Sequence, residues 1–338
     1  MPIRPVASVA RPLHRSLLTC AQRPPKATRI SLISAPIAFP TPRLSARTMS
    51  SSAAATTHLP NPEPSPAGQV PGQGKPNLHL YTWGTPNGYK VSILLEELRA
   101  AYPEVAKNKL AYDMIPVDIS TNVQKTPEFL KVNPNGRIPA LIDDSQNKLD
   151  VWESASIELY LQSQYDPDNK FWFSDVKGRS DALSWIFFAH GGVGPMQGQA
   201  HHFYRYAPLK IPYGIKRYIE ETERLYSVLE AGLEKGNGWL AGGKYSVADI
   251  NVYPWVRSYA WAGIDISKYP RLGKWIKTIE ERPAVQKGLT VPNPPRAGTS
   301  EEELEKIAAD VANWKDKAEK ELDDEKKKLE QEKAQKSS

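Results

Sequence analysis

From residue 77 onward, hydrophobic and polar positions follow two rhythms. Leu78-His79-Leu80-Tyr81-Thr82 alternates with a period of two and predicts a strand. After the turn cluster Gly84-Thr85-Pro86-Asn87-Gly88, the residues Val91, Leu94, Leu95 and Leu98 recur at helical spacing, predicting a helix over 89–98. A second strand is predicted over 112–118, a short helix over 127–132, a turn and strand over 137–142 with its hairpin partner over 148–152, and a closing helix over 155–163. The order β-α-β-α-β-β-α implies a mixed sheet with helices on both faces, a first domain over residues 77–163.

Past a linker at 164–178 the rhythm is helical only. An amphipathic helix over 179–190 breaks at Gly191-Gly192-Val193-Gly194-Pro195. A long helix over 213–233 carries Ile215, Ile219, Leu225, Val228, Leu229 and Leu233. Ser246 and Asp249 have the spacing of a capping box, with Tyr245 and Ile250 as a hydrophobic staple, and predict the start of a buried helix over 252–261. A further helix over 272–281 ends before Pro283. This makes an all-helical second domain over 179–291. Pro292, Pro294 and Pro295 then break the chain, and 292–338 reads as a charged, partly helical tail. Leu304, Ile307, Ala308, Val311 and Trp314 allow its first half to dock one face, while Leu322 and Leu329 are too sparse to sustain a heptad.

Charge changes the picture at the N-terminus. The formal net charge is +6, but the first 62 residues carry eight Lys/Arg and no Asp/Glu. The remainder holds 36 basic and 38 acidic residues, so the folded part is near neutral and a nucleic-acid footprint is not expected. Residues 1–48 intersperse Arg4, Arg11 and Arg15 with Ile3, Val6, Val9, Leu13, Leu17 and Leu18, the pattern of a mitochondrial transit peptide. Met49 offers a second start and a cytosolic form. Residues 49–76, rich in Ser, Ala, Pro and Gly, have nothing to bury and are expected to be a disordered linker. No stretch of about 18 apolar residues occurs, so no membrane span is expected. The one cysteine, Cys20, lies in the leader, which leaves no Cys-x-x-Cys and no zinc set.

Three features of the first domain carry possible chemistry, and each has a plain alternative. Thr85-Pro86-Asn87 sits where a helix begins, so free backbone N–H groups and the helix dipole favour an anion such as a thiolate; an ordinary cap with Pro in the first turn gives the same residues. Asn133-Pro134-Asn135-Gly136-Arg137-Ile138-Pro139 predicts a tight turn, with a cis bond at Ile138–Pro139 that would turn the Ile138 backbone outward to pair with a peptide, or else a loop of turn residues. Glu153-Ser154, at a strand end opening a helix, can hold an ammonium and a carboxylate, or simply cap the helix. In the second domain, His201, His202 and Phe203 can line a second-substrate pocket or serve packing; adjacent histidines without a carboxylate or cysteine partner do not make a metal site.

Taken in order, Leu80-Tyr81, Thr85-Pro86-Asn87-Gly88-Tyr89-Lys90-Val91, Asn133 to Leu141 and Glu153-Ser154-Ala155-Ser156-Ile157 resemble the glutathione transferase superfamily. The nearest resemblance is to its nu-class disulfide-bond reductases and its branch of fungal nitrogen-regulator, prion-like proteins. It covers about residues 77–290. It implies an α/β thioredoxin-like N-terminal domain with an all-α C-terminal domain, a homodimer, glutathione as co-substrate, and no metal. It further implies that Glu153 and Ser154 hold the γ-glutamyl end, that Ile138 before Pro139 pairs with the cysteinyl amide, and that Gln124 and Arg137 lie near the glycyl end. Arg224, with Arg217 as the alternative, would reach across a dimer interface. With no cysteine at the turn, Thr85 and Asn87 would position the glutathione thiolate as nucleophile toward a disulfide or a small electrophile. The alternative from another class is a non-catalytic glutathione-binding regulator; the low Asn/Gln content of the leader counts against prion behaviour.

Overall fold

The structure, a computed structural model, describes residues 75–294 and 300–337. The leader at 1–48 and nearly all of the 49–76 linker lie outside the described residues. Four strands form one sheet in the order β2-β1-β3-β4: β1 (Leu78–Thr82), β2 (Tyr112–Pro116), β3 (Ala140–Asp143) and β4 (Leu149–Trp152). β1 runs parallel to β2 and antiparallel to β3, and β3 pairs antiparallel with β4. The parallel pair needs a crossover, which α1 (Pro86–Ala101) and the short α2 (Pro103–Asn108) supply. α3 (Pro127–Val132) and α4 (Ser154–Tyr165) complete the domain.

The alternation in β1 divides the sheet faces. Leu78 and Leu80 are fully buried on the face covered by α1 and α4. Tyr81 turns to the opposite face, edge-on to Phe129 of α3 at 5.9 Å, in a small second cluster with Val117 and Ala140. α1 is buried all round from Gly88 to Leu98. Three of its buried polar residues bond to other elements. Tyr112 of β2 donates to Glu96 at 2.8 Å, and the Ser92 hydroxyl donates to the Gly288 carbonyl at 2.7 Å. Arg282 forks onto both oxygens of Glu97 at 2.5 and 2.8 Å while stacking over Tyr245.

The remaining helices are α5 (Val176–Phe188), α6 (Gly194–His201), α7 (Pro212–Lys235), α8 (Val247–Val256), α9 (Pro270–Glu280), α10 (Pro283–Leu289) and α11 (Glu301–Ser337). Several depart from the sequence expectation. α5 starts at Val176, capped by Asp175 through the Gly178 N–H, so the predicted linker ends earlier than residue 178. The glycine-rich break after it is a π turn, Ala189–Val193, that carries the chain into α6, and a second π turn, His202–Tyr206, follows. The capping box at Ser246 and Asp249 starts α8 at Val247, and Pro254 is accommodated inside it; the predicted 252–261 helix is this helix plus a separate 3₁₀ turn, Tyr259–Ala262. The first half of α11 docks on α7, with Val311 and Ala318 buried and Lys315 bonded to Glu223 at 2.7 Å. Beyond Leu322 it is solvated, and Leu329 is half exposed.

On the solvent side of β1, His79 links its neighbours: Nδ1 lies 2.8 Å from Asp113 of β2 and Nε2 lies 3.1 Å from Asp144 beyond β3. The Asp113 hydrogen bond, reinforced by Asp144 and opposed by desolvation, raises the imidazole from 6.5 to about 9. The protonated pair therefore adds its full stability below about pH 6.5, and the gain is lost as pH rises through about 9. At this partly exposed position it contributes about 1–2 kcal/mol after solvent screening. The melting temperature should fall between pH 7 and 9.5 in the parent and fall less in His79→Asn; equal slopes by calorimetry would rule out the linkage.

Candidate functional site

The three sequence features of the first domain lie at three helix and strand ends. The first is the start of α1. Thr85 is its N-cap, with extended backbone, and its hydroxyl oxygen accepts the Gly88 N–H at 3.2 Å. Pro86 fills the first helical position, where no N–H is needed. A Cβ on Gly88 would lie 2.3 Å from the Trp83 carbonyl and 2.6 Å from the Thr82 hydroxyl. Only glycine lets the helix start this close to the strand it leaves. Asn87, half-buried, extends toward the second domain, where its Oδ1 accepts the indole N–H of Trp255 at 2.9 Å.

The second element is the turn before β3. Asn133 is buried and ties both ends of it: its Oδ1 accepts the Asn135 N–H at 2.9 Å and its Nδ2 donates to the Arg137 carbonyl at 2.8 Å. Gly136 sits at φ 60°, and the Ile138–Pro139 bond is cis. The β1–β3 ladder ends at Tyr81 opposite Ala140, so Ile138 lies outside it and its backbone is not used by the sheet. Arg137 is exposed. Lys125 donates to the Asn135 carbonyl at 3.3 Å, which brings the neighbouring Gln124 against this turn. Gln124 is buried, donates to the Ile119 carbonyl at 3.2 Å, and keeps its Oε1 without a partner among the described residues.

The third element is the start of α4. Glu153 precedes it at φ 70°, a region costly for a residue with a side chain, by about 1–3 kcal/mol. Its carboxylate is exposed, reached by Asn135 Nδ2 at 3.3 Å and by His190 Nε2 at 3.8 Å. Burial, with Lys90 nearby, pushes His190 down to about 4, so it is neutral at physiological pH and leaves the Glu153 charge for a cationic ligand. Ser154 is buried and opens α4 directly after that carboxylate.

Beneath this corner lies a polar cluster. Asn251 of α8 donates to Glu158 of α4 at 2.5 Å. Burial raises the Glu158 carboxyl and lowers the Lys90 ammonium, each opposed by the other's charge. The other predicted residues lie apart. Arg224 is exposed on α7 and forks onto Glu221 at 2.7 and 2.9 Å; Arg217 faces the same Glu221 at 3.8 Å. His201 is buried against the Trp255 ring, whereas His202 is exposed and Phe203 stacks on Tyr218 of α7. Sequence reasoning did not pick out Trp255, Asn135 or His190. An aromatic in an apolar helix reads as core, and only the three-dimensional meeting of α8 with α1 gives Trp255 its polar task. Among the described residues no group of three or more His, Cys, Asp or Glu is placed to hold a metal ion, and no helix is long and apolar enough to cross a membrane.

Residues 76–163 match the family model for the glutathione S-transferase N-terminal domain, and residues 215–283 match that for the C-terminal domain. The chain is 40% identical over 216 residues to the disulfide-bond oxidoreductase YfcG of Escherichia coli, covering 63% of this chain and 94% of that protein. Among solved structures, a glutathione transferase homolog from Lodderomyces elongisporus with two glutathiones per subunit superposes with a TM-score of 0.59 at 38% identity, covering 65% of this chain and all of that one. The glutathione transferase URE2P6 from Phanerochaete chrysosporium in complex with oxidized glutathione gives 0.58 at 38% identity, covering 69% and 98%.

Proposed function

The chain belongs to the glutathione S-transferase family, and we propose that it is a glutathione-dependent disulfide-bond oxidoreductase in which the thiolate of bound glutathione is the nucleophile. The observation that carries this reading is the donor pair at the start of α1, in a body without a thiol. The Thr85 oxygen already accepts the Gly88 N–H, leaving its proton to donate outward, and the Asn87 oxygen is taken by Trp255, leaving its N–H groups to donate. Two donors and a helix N-terminus stabilise a thiolate. Cys20 is the only cysteine of the chain and lies outside the described residues, so the sulfur comes from the ligand.

Glutathione fits the rest of the corner. Its γ-glutamyl ammonium goes to Glu153 and the adjacent carboxylate to Ser154 and the α4 N–H groups. Its cysteinyl amide pairs with the free backbone of Ile138 before Pro139. Its glycyl end lies toward Gln124 and Arg137. In the reaction, the bound thiolate attacks one sulfur of a disulfide, forming a mixed disulfide and expelling a thiolate that takes a proton. A second glutathione thiolate then attacks the glutathione sulfur of the mixed disulfide, releasing the second reduced thiol and glutathione disulfide. Electrons balance with two glutathiones and no protein cysteine.

A homodimer is the proposed assembly. Val176 and Phe187 are 82% and 67% exposed on α5 and share one helix face with Leu183, interleaved with Arg179, Ser180 and Ser184, and this face is the proposed contact with a second copy. In this assembly Arg224, exposed on α7, would serve the partner's glutathione. The leader is proposed to direct the chain to the mitochondrion, with Met49 opening a cytosolic form.

Reduction of 2-hydroxyethyl disulfide by glutathione should fall about 10-fold or more in Thr85→Ala and Asn87→Ala, while conjugation of chlorodinitrobenzene stays low in all three proteins. Conjugation as the dominant parent activity would sink the reductase reading, and glutathione binding with neither activity would favour the regulator. Phe187→Glu should convert the dimer to a monomer by light scattering and lower glutathione affinity, and Arg224→Ala should lower affinity with the dimer intact; a dimer surviving Phe187→Glu excludes this face. A fluorescent protein fused to residues 1–62 should reach mitochondria; diffuse cytosolic signal would reject the targeting role.

A further inference from the structure

The face of α6 formed by Gly194, Gln197, Gly198 and His201 has the i, i+3, i+4, i+7 spacing of a helix stripe, yet it holds no apolar residue larger than glycine. All four touch one residue, Trp255 of α8. A Cβ on Gly194 would lie 3.0 Å from the indole Nε1, and one on Gly198 would lie 3.4 Å from the far edge of the ring. Gln197 is fully buried and donates to the Trp255 carbonyl at 2.7 Å, while its own oxygen accepts from Tyr226 at 2.9 Å. The His201 ring lies over the indole at 6.0 Å and 33°. Ser258 adds a second donor to the same carbonyl at 2.7 Å. Ring and backbone of Trp255 are both held, and π turns bracket α6 on either side.

This seat has one outlet. The indole nitrogen is a donor only, so the atom of Asn87 facing it at 2.9 Å is the amide oxygen. The Asn87 nitrogen with its two protons is thereby turned the other way. We propose that Trp255 is a positioning residue of the thiol site: seated on α6, it locks the Asn87 carboxamide so that its N–H groups, not its oxygen, face the glutathione sulfur. The inference rests on the reading of Asn87 given above. Without the lock, the carboxamide rotates freely, and its oxygen in front of a thiolate repels it. The second domain thus takes part in activating a thiol bound by the first. A bulky packing role alone would need the ring and not its N–H.

The test is Trp255→Phe, which keeps an aromatic ring and removes the donor, alone and with Asn87→Ala. The thiolate absorbance of bound glutathione and the kcat/KM of disulfide reduction are followed against pH. In Trp255→Phe the apparent thiol pKa should rise by about half a unit or more, and the double variant should match Asn87→Ala alone. Gly194→Ala, which presses on the indole nitrogen from the side and leaves every polar group in place, should shift the profile in the same direction. An unmoved profile in Trp255→Phe beside a moved one in Asn87→Ala, or additive shifts in the double variant, would overturn the positioning role. An unmoved profile in Asn87→Ala overturns the reading of Asn87 and this inference with it. Loss of folding in Trp255→Phe, seen by circular dichroism, leaves Gly194→Ala to decide.

Discussion

Everything at the proposed site hangs on the close approach of α1 to the strand it leaves. Gly88 sits against the Trp83 carbonyl and the Thr82 hydroxyl. With no Cβ to hold it off, α1 lies flat on the sheet and is enclosed by α4, α8 and α10. That enclosure fixes the helix axis and, with it, the direction of its first turn, where Thr85 and Asn87 sit. Each apolar side chain buried along α1 contributes about 1.5–3 kcal/mol, and Ser92, Glu96 and Glu97 bond to other elements, so tilting the helix costs both packing and hydrogen bonds. A donor pair useful to a sulfur atom needs that rigidity, because hydrogen-bond strength falls steeply with misalignment.

The charges around the corner are arranged to leave one of them open. His190 is neutral through burial, and Lys90 and Glu158 occupy each other beneath the surface. Glu153, in contrast, is exposed at φ 70°, and among the described residues it is within bonding reach of an amide and a neutral imidazole while also feeling the Lys90 charge beneath it. In the proposed binding mode, this carboxylate attracts an ammonium group while the helix start next to it takes the carboxylate of the same amino acid. Such a pair recognises an amino-acid head by having both signs at a fixed separation.

Much of this was legible in the sequence. The strands follow from period-two alternation, the start of α1 from Thr85 and Pro86, the start of α8 from Ser246 and Asp249, and the cis bond from Pro139 directly before a strand. These signals are local: a cap, a turn or a period involves neighbours in the chain. What was not legible is long-range. α2 and α10 are too short to show a period. The glycine-rich run after α5 reads as a break, although Gly194 within it opens α6 and lies against an indole from a helix some sixty residues later. Asn87 and Trp255 are 168 residues apart, and nothing near either one announces the other. Arg224, recognisable only by resemblance, has Glu221 as its partner within the chain.

The body described here carries no thiol. A reductase built on its own cysteines cycles through oxidised and reduced forms, and peroxide can drive such a cysteine to sulfinic acid, from which most proteins do not return. In the proposed reaction the sulfur that reacts enters and leaves with each turnover. The protein has no resting oxidation state to restore and no nucleophile to lose. Its capacity under oxidative stress is therefore set by the supply of reduced glutathione, and a molecule that has met an oxidant at this site is as fresh afterwards as one that has not.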